Sequence, residues 1–173
     1  MSVTRERLER LRVLLFDVDG ILTDNGLYVG EDGNVSKRFN ILDGAGIKFA
    51  QMAGLATGLI SGHQSEATRK RAAQLGMTVC HVGVKDKIPV FDAVLAELGL
   101  EPDQALYMGD DLMDMPLLRR AGIAVTVPEA DPLVLEICDH VTRRAGGQGA
   151  VREMVEWVLR GLGRWDEIVA RYA

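Results

Sequence analysis

The stretch Leu14-Leu15-Phe16-Asp17-Val18-Asp19-Gly20-Ile21-Leu22-Thr23-Asp24 decides how the rest of this chain is read. An apolar run from Val13 to Phe16 has the character of a fully buried parallel strand, and it stops abruptly at Asp17. In open α/β sheets the reactive groups gather beyond the carboxyl ends of the strands. Asp17 and Asp19 would stand there together, and their repulsion calls for a compensating charge. A hard divalent cation such as Mg2+ supplies it, because carboxylate and carbonyl oxygens suit that ion. On this reading Asp17 is a candidate nucleophile and Asp19 a candidate proton donor. The plainer reading makes Asp17 to Gly20 a solvated turn after a strand.

Working outward, residues 4–11 read as a short charged helix that leads into the first strand. Downstream, Asp32-Gly33 between two short β-prone runs predicts a hairpin over about 26–39. It is an insertion above the polar end of the first strand, suited to subunit contact or, as the other option, to a small lid. Asp43-Gly44-Ala45-Gly46 starts a helix to about Ala53, with Asp43 as its N-cap. A second buried strand, Ala56 to Ile60, ends at Ser61-Gly62-His63. A helix over Gln64–Leu75 and a short strand over Thr78–Val82 follow. Lys87 to Leu98 is helical, with Ile88, Phe91, Val94, Leu95 and Leu98 on one face.

The strand over Gln104–Met108 runs into Gly109-Asp110-Asp111-Leu112-Met113-Asp114. Helix, strand, helix and strand then alternate over Met115–Ala121, Ile123–Val127, Pro132–Ile137 and His140–Thr142. Such alternation predicts an α/β fold: a Rossmann-like, doubly wound parallel sheet with no large cap domain. The glycine-rich run Arg144 to Gly149 reads as a flexible hinge before a last amphipathic helix, Ala150–Leu162. That helix carries Val151, Met154, Val155, Val158 and Leu159 on its apolar side.

The chain has 173 residues, which fits one domain over 1–173, the glycine-rich tail and final helix filling about 143–173. Hydrophobic content of 47% and charged content of 26% are ordinary for a globular protein. A net charge of −5 without a long basic run disfavours nucleic acid and anionic membranes as partners. An anionic small substrate held by local positive groups remains compatible. Cys80 and Cys138 have no metal-type spacing and read as small buried hydrophobes in a reducing, cytoplasmic setting.

Four strand ends therefore carry complementary groups: Asp17 and Asp19, Ser61, Lys87, and Asp110 with Asp111 and Asp114. Taken one at a time, Ser61 reads as a helix cap, Lys87 as a surface charge and Gly109-Asp110-Asp111 as a turn. Taken together at one edge of a sheet, they meet the needs of phosphoryl transfer: an in-line nucleophile, a metal, and donors for the equatorial oxygens. Asp17 would accept phosphorus as an aspartyl-phosphate, and Asp19 would move the protons. Ser61 and Lys87 would hold the oxygens, and Asp110 would complete the metal site.

Asp17-Val18-Asp19-Gly20, Ser61-Gly62, Lys87 and Gly109-Asp110-Asp111-Leu112-Met113-Asp114 resemble, in order, the four motifs of the haloacid dehalogenase superfamily. Lys37-Arg38-Phe39-Asn40, Asp43 to Ile47, Thr142-Arg143 and Gly146 to Glu153 extend the resemblance to the capless 3-deoxy-D-manno-octulosonate 8-phosphate phosphatases. The resemblance implies a homotetramer built around the hairpin and a C-terminal segment that reaches a neighbouring active site. It also implies Mg2+ held by Asp17, Asp110 and the backbone carbonyl of Asp19, with Asp111 and Asp114 in support. Gly62, His63, Asn40, Asp43 and Gly44 would join Ser61 and Lys87 around the substrate. The chain departs from the family at His63, where Arg is usual, and at Gln148, where some members have Arg. An Arg fork grips an anion in a way neither can copy, and relatives acting on nine-carbon, sialic-type sugar phosphates vary there too.

A phosphoacceptor signalling domain of the receiver type uses similar residues, but its acceptor follows a central strand and it needs no proton shuttle like Asp19. Asp-x-Asp-Gly suggests a calcium loop, yet Ile21 stands where an oxygen ligand is required. No Gly-x-x-x-x-Gly-Lys-Ser/Thr occurs, so a nucleotide-hydrolysing loop has no support. A non-catalytic structural subunit leaves every acidic strand end unexplained.

Overall fold

A computed structural model describes residues 3–173. At its centre lies β1 (Val13–Phe16), whose four side chains are wholly buried, as a strand covered on both faces demands. β4 (Ala56–Ser61) pairs with it in parallel on one side and β6 (Ala105–Met108) on the other. β5 (Val79–Val82), β7 (Ile123–Thr126) and β8 (His140–Val141) extend the sheet to the order β5-β4-β1-β6-β7-β8. Taken in chain order, these strands stand third, second, first, fourth, fifth and sixth across the sheet. That is a doubly wound α/β sheet whose order reverses between β1 and β6, where ligands of such sheets bind.

The helices divide between the two faces. α2 (Ile41–Met52), α3 (Glu66–Leu75) and α7 (Ala150–Gly161) pack together, as do α4 (Lys87–Leu98), α5 (Met115–Leu118) and α6 (Pro132–Ile137). Right-handed crossovers put these two groups on opposite faces. In α7 the apolar stripe Val151, Met154, Val155, Val158 and Leu159 is fully buried. The short α1 (Arg5–Arg10) leads into β1, and β2 (Tyr28–Val29) with β3 (Val35–Ser36) forms the hairpin inserted after it.

Three expectations need correction. Asp43 does not cap α2. Asn40 does, its Oδ1 accepting from Leu42 N at 2.8 Å, while Asp43 sits within the first turn of the helix. Asp43 instead caps α7 from outside, its carboxylate accepting from Gly149 N (3.2 Å) and Arg152 N (2.9 Å). The start of α7 has only Gly149 at its cap position, so its free N–H groups take a carboxylate borrowed from another helix.

The Arg144–Gly149 run is not a hinge. Gly147 N donates to Ile21 O at 3.0 Å, and Asn40 Nδ2 donates to Gly147 O at 3.1 Å. A Cβ on Gly146 would run into the carbonyl oxygen of Gly20, so glycine here serves close approach rather than freedom. Beyond the expected last helix lies another, α8 (Trp165–Val169), which buries Trp165 and Ile168. The chain then ends against α2, with Tyr172 and Phe49 ring centroids 5.8 Å apart.

Candidate active site

The register of the sheet assembles the site. Phe16 lies level with Leu59 of β4 and Met108 of β6, and Asp17 N donates to Met108 O at 2.8 Å. Asp17 and Asp110 therefore leave adjacent strands at nearly the same height. Gly20, with φ of +84°, turns the chain back, and a Cβ there would occupy the place of the Asp110 carboxylate.

Lys87 opens α4, with Asp86 capping that helix by accepting from Ile88 N at 3.1 Å. Its buried Nζ donates to Asp17 Oδ1 (2.8 Å) and Asp114 Oδ1 (2.7 Å), and lies 3.3 Å from Tyr107 Oη. Asp114 ends the 3-10 turn Leu112–Asp114, and both its oxygens are engaged. Oδ1 also accepts from Tyr107 Oη at 2.7 Å, and Oδ2 accepts from the backbone N–H groups of Asp110 (3.1 Å) and Asp111 (3.3 Å). Asp114 is thus a brace between Lys87 and the Asp110 loop. Asp111 is exposed and is spent on the same turn, accepting from Leu112 N at 2.6 Å.

Asp17, Asp110 and Asp114 each offer an oxygen, all within 4.8 Å of one another. Three buried acids thus share one buried ammonium. Burial first, then the neighbouring Asp114, pushes the Asp17 carboxyl up to about 7 against the opposing pull of Lys87. Burial, then Asp17 and Asp114, pushes Asp110 up to about 7 as well. Lys87 loses hydration on burial, but the two acids beside it outweigh that and raise its pKa. Asp110 Oδ1 is buried and has no hydrogen-bond partner among the described residues. A carboxylate oxygen left so calls for a cation.

Ser61, at the end of β4, is almost fully buried, and its Oγ accepts from His63 N at 3.3 Å. Ser61, Gly62 and His63 line one wall of a cleft of about 350 Å3 whose floor is Asp17, Lys87, Asp110 and Asp114. That volume lies in the range of small-molecule sites. The Asp19 carboxylate borders the same cleft but stands apart from the three-acid cluster. Asn40, Asp43 and Gly44 are elsewhere. The first two are held at the junction of α2, α7 and the glycine-rich turn, and a Cβ on Gly44 would meet Arg71.

Other contributors carried no role in the sequence reading. Tyr107 sits inside an apolar strand, and its polar tip among Ala, Leu and Met neighbours is the available signal. Asn25 and Met113 line the cleft, Asn25 in the left-handed region at φ of 64°, which Asn tolerates. Lys37, from the hairpin, meets Asp19.

Comparison with known proteins agrees with this geometry. Residues 83–154 match the model of the haloacid dehalogenase-like hydrolases. The chain is 38% identical over 161 residues to the 3-deoxy-D-manno-octulosonate 8-phosphate phosphatase KdsC of Escherichia coli K12, covering 93% of this chain and 86% of that protein. The Moraxella catarrhalis 3-deoxy-D-manno-octulosonate 8-phosphate phosphatase, solved in complex with magnesium ion, phosphate ion and KDO, superposes with a TM-score of 0.95. Identity to it is 30%, over 98% of this chain and 97% of that one. The Yersinia pestis phosphatase superposes with a TM-score of 0.91 at 36% identity, over 94% of this chain and 88% of that one. The sheet order, the acid cluster and these likenesses agree: the chain belongs to the 3-deoxy-D-manno-octulosonate 8-phosphate phosphatase family of haloacid dehalogenase-like hydrolases.

Proposed function

We propose that this phosphatase hydrolyses 3-deoxy-D-manno-octulosonate 8-phosphate, with Mg2+ as cofactor. The observation that carries the reading is the cluster of Asp17, Asp110 and Asp114 around the single ammonium of Lys87, in a chain so similar to KdsC. The site fits the ion: its donors are hard oxygens, Asp110 Oδ1 is without a partner, and acids exceed cations by the charge of a divalent ion. Asp17, Asp110 and the Asp19 backbone carbonyl would hold it. When bound, it offsets the crowded acids and draws charge from the transferring phosphoryl oxygens.

The residues then divide the work. Lys87 holds Asp17 by Oδ1, leaving Oδ2 to attack phosphorus. The Ser61 hydroxyl and the Lys87 ammonium face the equatorial oxygens. Asp19 gives a proton to the departing sugar oxygen as its bond to phosphorus breaks. It then takes one from the water that releases phosphate from Asp17.

His63 favours a second reading, a nine-carbon sugar-acid 9-phosphate, since it faces the cleft where Arg is usual in the family. Turnover of purified protein with Mg2+ against eight- and nine-carbon sugar-acid phosphates tests both. The highest kcat/KM on the eight-carbon ester supports the first reading, and a preference for the nine-carbon ester replaces it.

The assembly belongs to the same proposal. Leu27, Tyr28, Val29 and Val35 leave the hairpin apolar and exposed, which suits a homotetramer formed through it. Light scattering on the purified protein tests that, a monomeric mass contradicting it. No helix among the described residues is long and apolar enough to cross a membrane. A cytoplasmic site of action accords with the two free cysteines.

A further inference from the structure

The return strand of the hairpin runs into two adjacent cations, and both reach back to the loop after β1. Lys37 Nζ lies 2.6 Å from Asp19 Oδ1 and 2.7 Å from Asp19 Oδ2, with its side chain wholly withdrawn from solvent. Arg38 Nη1 lies 3.0 Å from Asp24 Oδ2, with 47% of its side chain exposed. The two pairs share a strand and a target loop, but only one of them is shielded. Exposed pairs of the second kind contribute little, because water screens them and two mobile side chains must be ordered.

Asp19 needs such a partner. It lies beyond the end of β1, where no sheet hydrogen bond fixes its side chain. His63 Nδ1, at 3.6 Å from Asp19 Oδ2, is too distant for a hydrogen bond. Among the described side chains Lys37 alone bonds the Asp19 carboxylate, and it does so at both oxygens. A proton donor acts only within hydrogen-bond reach of the oxygen it serves, and a displacement of about 1 Å can cost roughly a hundredfold in rate.

We propose that Lys37 is a positioning residue for proton transfer, holding the Asp19 carboxyl group at the cleft from the inserted hairpin. The inference rests on the reading of Asp19 as proton donor. In the first half-reaction the bond from phosphorus to the sugar oxygen breaks as the bond to Asp17 forms, and the Asp19 proton passes to that oxygen. In the second, water bonds to phosphorus as the Asp17 bond breaks, and a proton of that water returns to Asp19. Lys37 gains and loses no proton in either half. Its contribution is where the carboxyl group points.

The test is leaving-group dependence in the Mg2+-loaded enzyme. p-Nitrophenyl phosphate releases a phenolate that departs without a proton, whereas an alkyl ester such as glycerol phosphate requires one. Lys37→Met is expected to lose about a hundredfold more kcat/KM on the alkyl than on the aryl ester. Lys37→Arg regains part of that difference, and Arg38→Met keeps the wild-type ratio. The unfolding midpoint of Lys37→Met without metal stays within a few degrees of wild type.

Equal losses on both esters in Lys37→Met overturn the proposal, as does a selective loss of the same size in Arg38→Met. Asp19→Asn separates the two levels. If it too loses both esters equally, the reading of Asp19 fails. If it loses the alkyl ester selectively while Lys37→Met does not, only the assignment of Lys37 fails.

Discussion

The two edges of the same sheet handle carboxylates in opposite ways. At the edge where the strands begin, Asp139 receives two hydrogen bonds from Arg7, at 2.8 and 2.7 Å, and another from Ala124 N at 3.0 Å. The same guanidinium reaches Gly122 O at 2.6 Å, and Arg10 pairs with Asp103 nearby. Burial alone would raise the Asp139 carboxyl, but Arg7 and the backbone donor hold it below its ordinary value. At the edge where the strands end, burial and then the neighbouring acids drive Asp17 and Asp110 both up to about 7, and the one lysine that serves three acids does not offset this. A fold that can compensate its acids at one edge leaves them uncompensated at the other, and that deficit is where a cation and a phosphate ester belong.

The sharpest way to break this comparison is Asp17→Asn. It removes the nucleophile while easing the repulsion, so turnover should fall by about 10⁴ or more while the metal-free fold becomes no less stable. Steady-state rates beside a melting curve check both halves. Retained turnover would remove Asp17 from its role.

The pH dependence of the metal-free protein comes next in size. Asp17 and Asp110 have folded pKa values near 7, raised above the ordinary 3.8, so the folded state binds more protons than the unfolded chain between those limits. Their contribution is complete below about pH 4 and is lost as pH rises through 7. The unfolding midpoint without metal should therefore fall from pH 5 to pH 8 as stability drops by an amount on the order of 5 kcal/mol, and Mg2+ should flatten the slope. A midpoint that rises over this interval without metal would contradict the deficit of positive charge.

Gly146→Ala asks whether position matters apart from charge. It removes no acid but forces a methyl group against the Gly20 carbonyl, moving the loop that carries Asp19. A loss of about 2–3 kcal/mol in stability is expected, with a fall in kcat larger than in Asp139 variants. Chemical denaturation and kcat measure the two. A silent substitution would restore the reading of this run as a flexible hinge.

What could be read from the chain alone follows the same division between near and far. Val13–Phe16, Ala56–Ser61 and Ala105–Met108 announce themselves because each is an apolar run cut off by a polar residue. Those cut-off points, Asp17, Ser61 and Asp110, are the site residues that local pattern exposes. Lys87 was found because a helix start after a short strand has a predictable place in a doubly wound sheet. Asp43 was misplaced because its partners Gly149 and Arg152 lie over a hundred residues away, and an N-cap pattern records only local donors. Gly146 and Gly147 misled for a related reason: a glycine required for close approach and one supplying freedom look alike in sequence. Tyr107 has no role in the sequence pattern, and Lys37 enters it only through the resemblance, because each acts through a contact with an acid that local periodicity does not record.

The smallest effect is expected at the compensated edge, and it completes the comparison. Asp139→Asn removes a charge that Arg7 holds closely but in partial contact with solvent. Arg7 keeps its bond to Gly122 O, and an amide can still accept one of the lost hydrogen bonds. The cost should be about 1–2 kcal/mol, with kcat near wild type, because no described residue at this edge lines the cleft. Its pH signature should be the reverse of that at the other edge. The Asp139 carboxyl lies below its ordinary value, so its contribution is present above about pH 4 and fades as pH falls through the lowered value. The variant should therefore lose stability relative to wild type at neutral pH and converge on it in acid. Convergence at neutral pH instead would show that Arg7 does not hold this acid ionised, and the contrast between the edges would lose its compensated half.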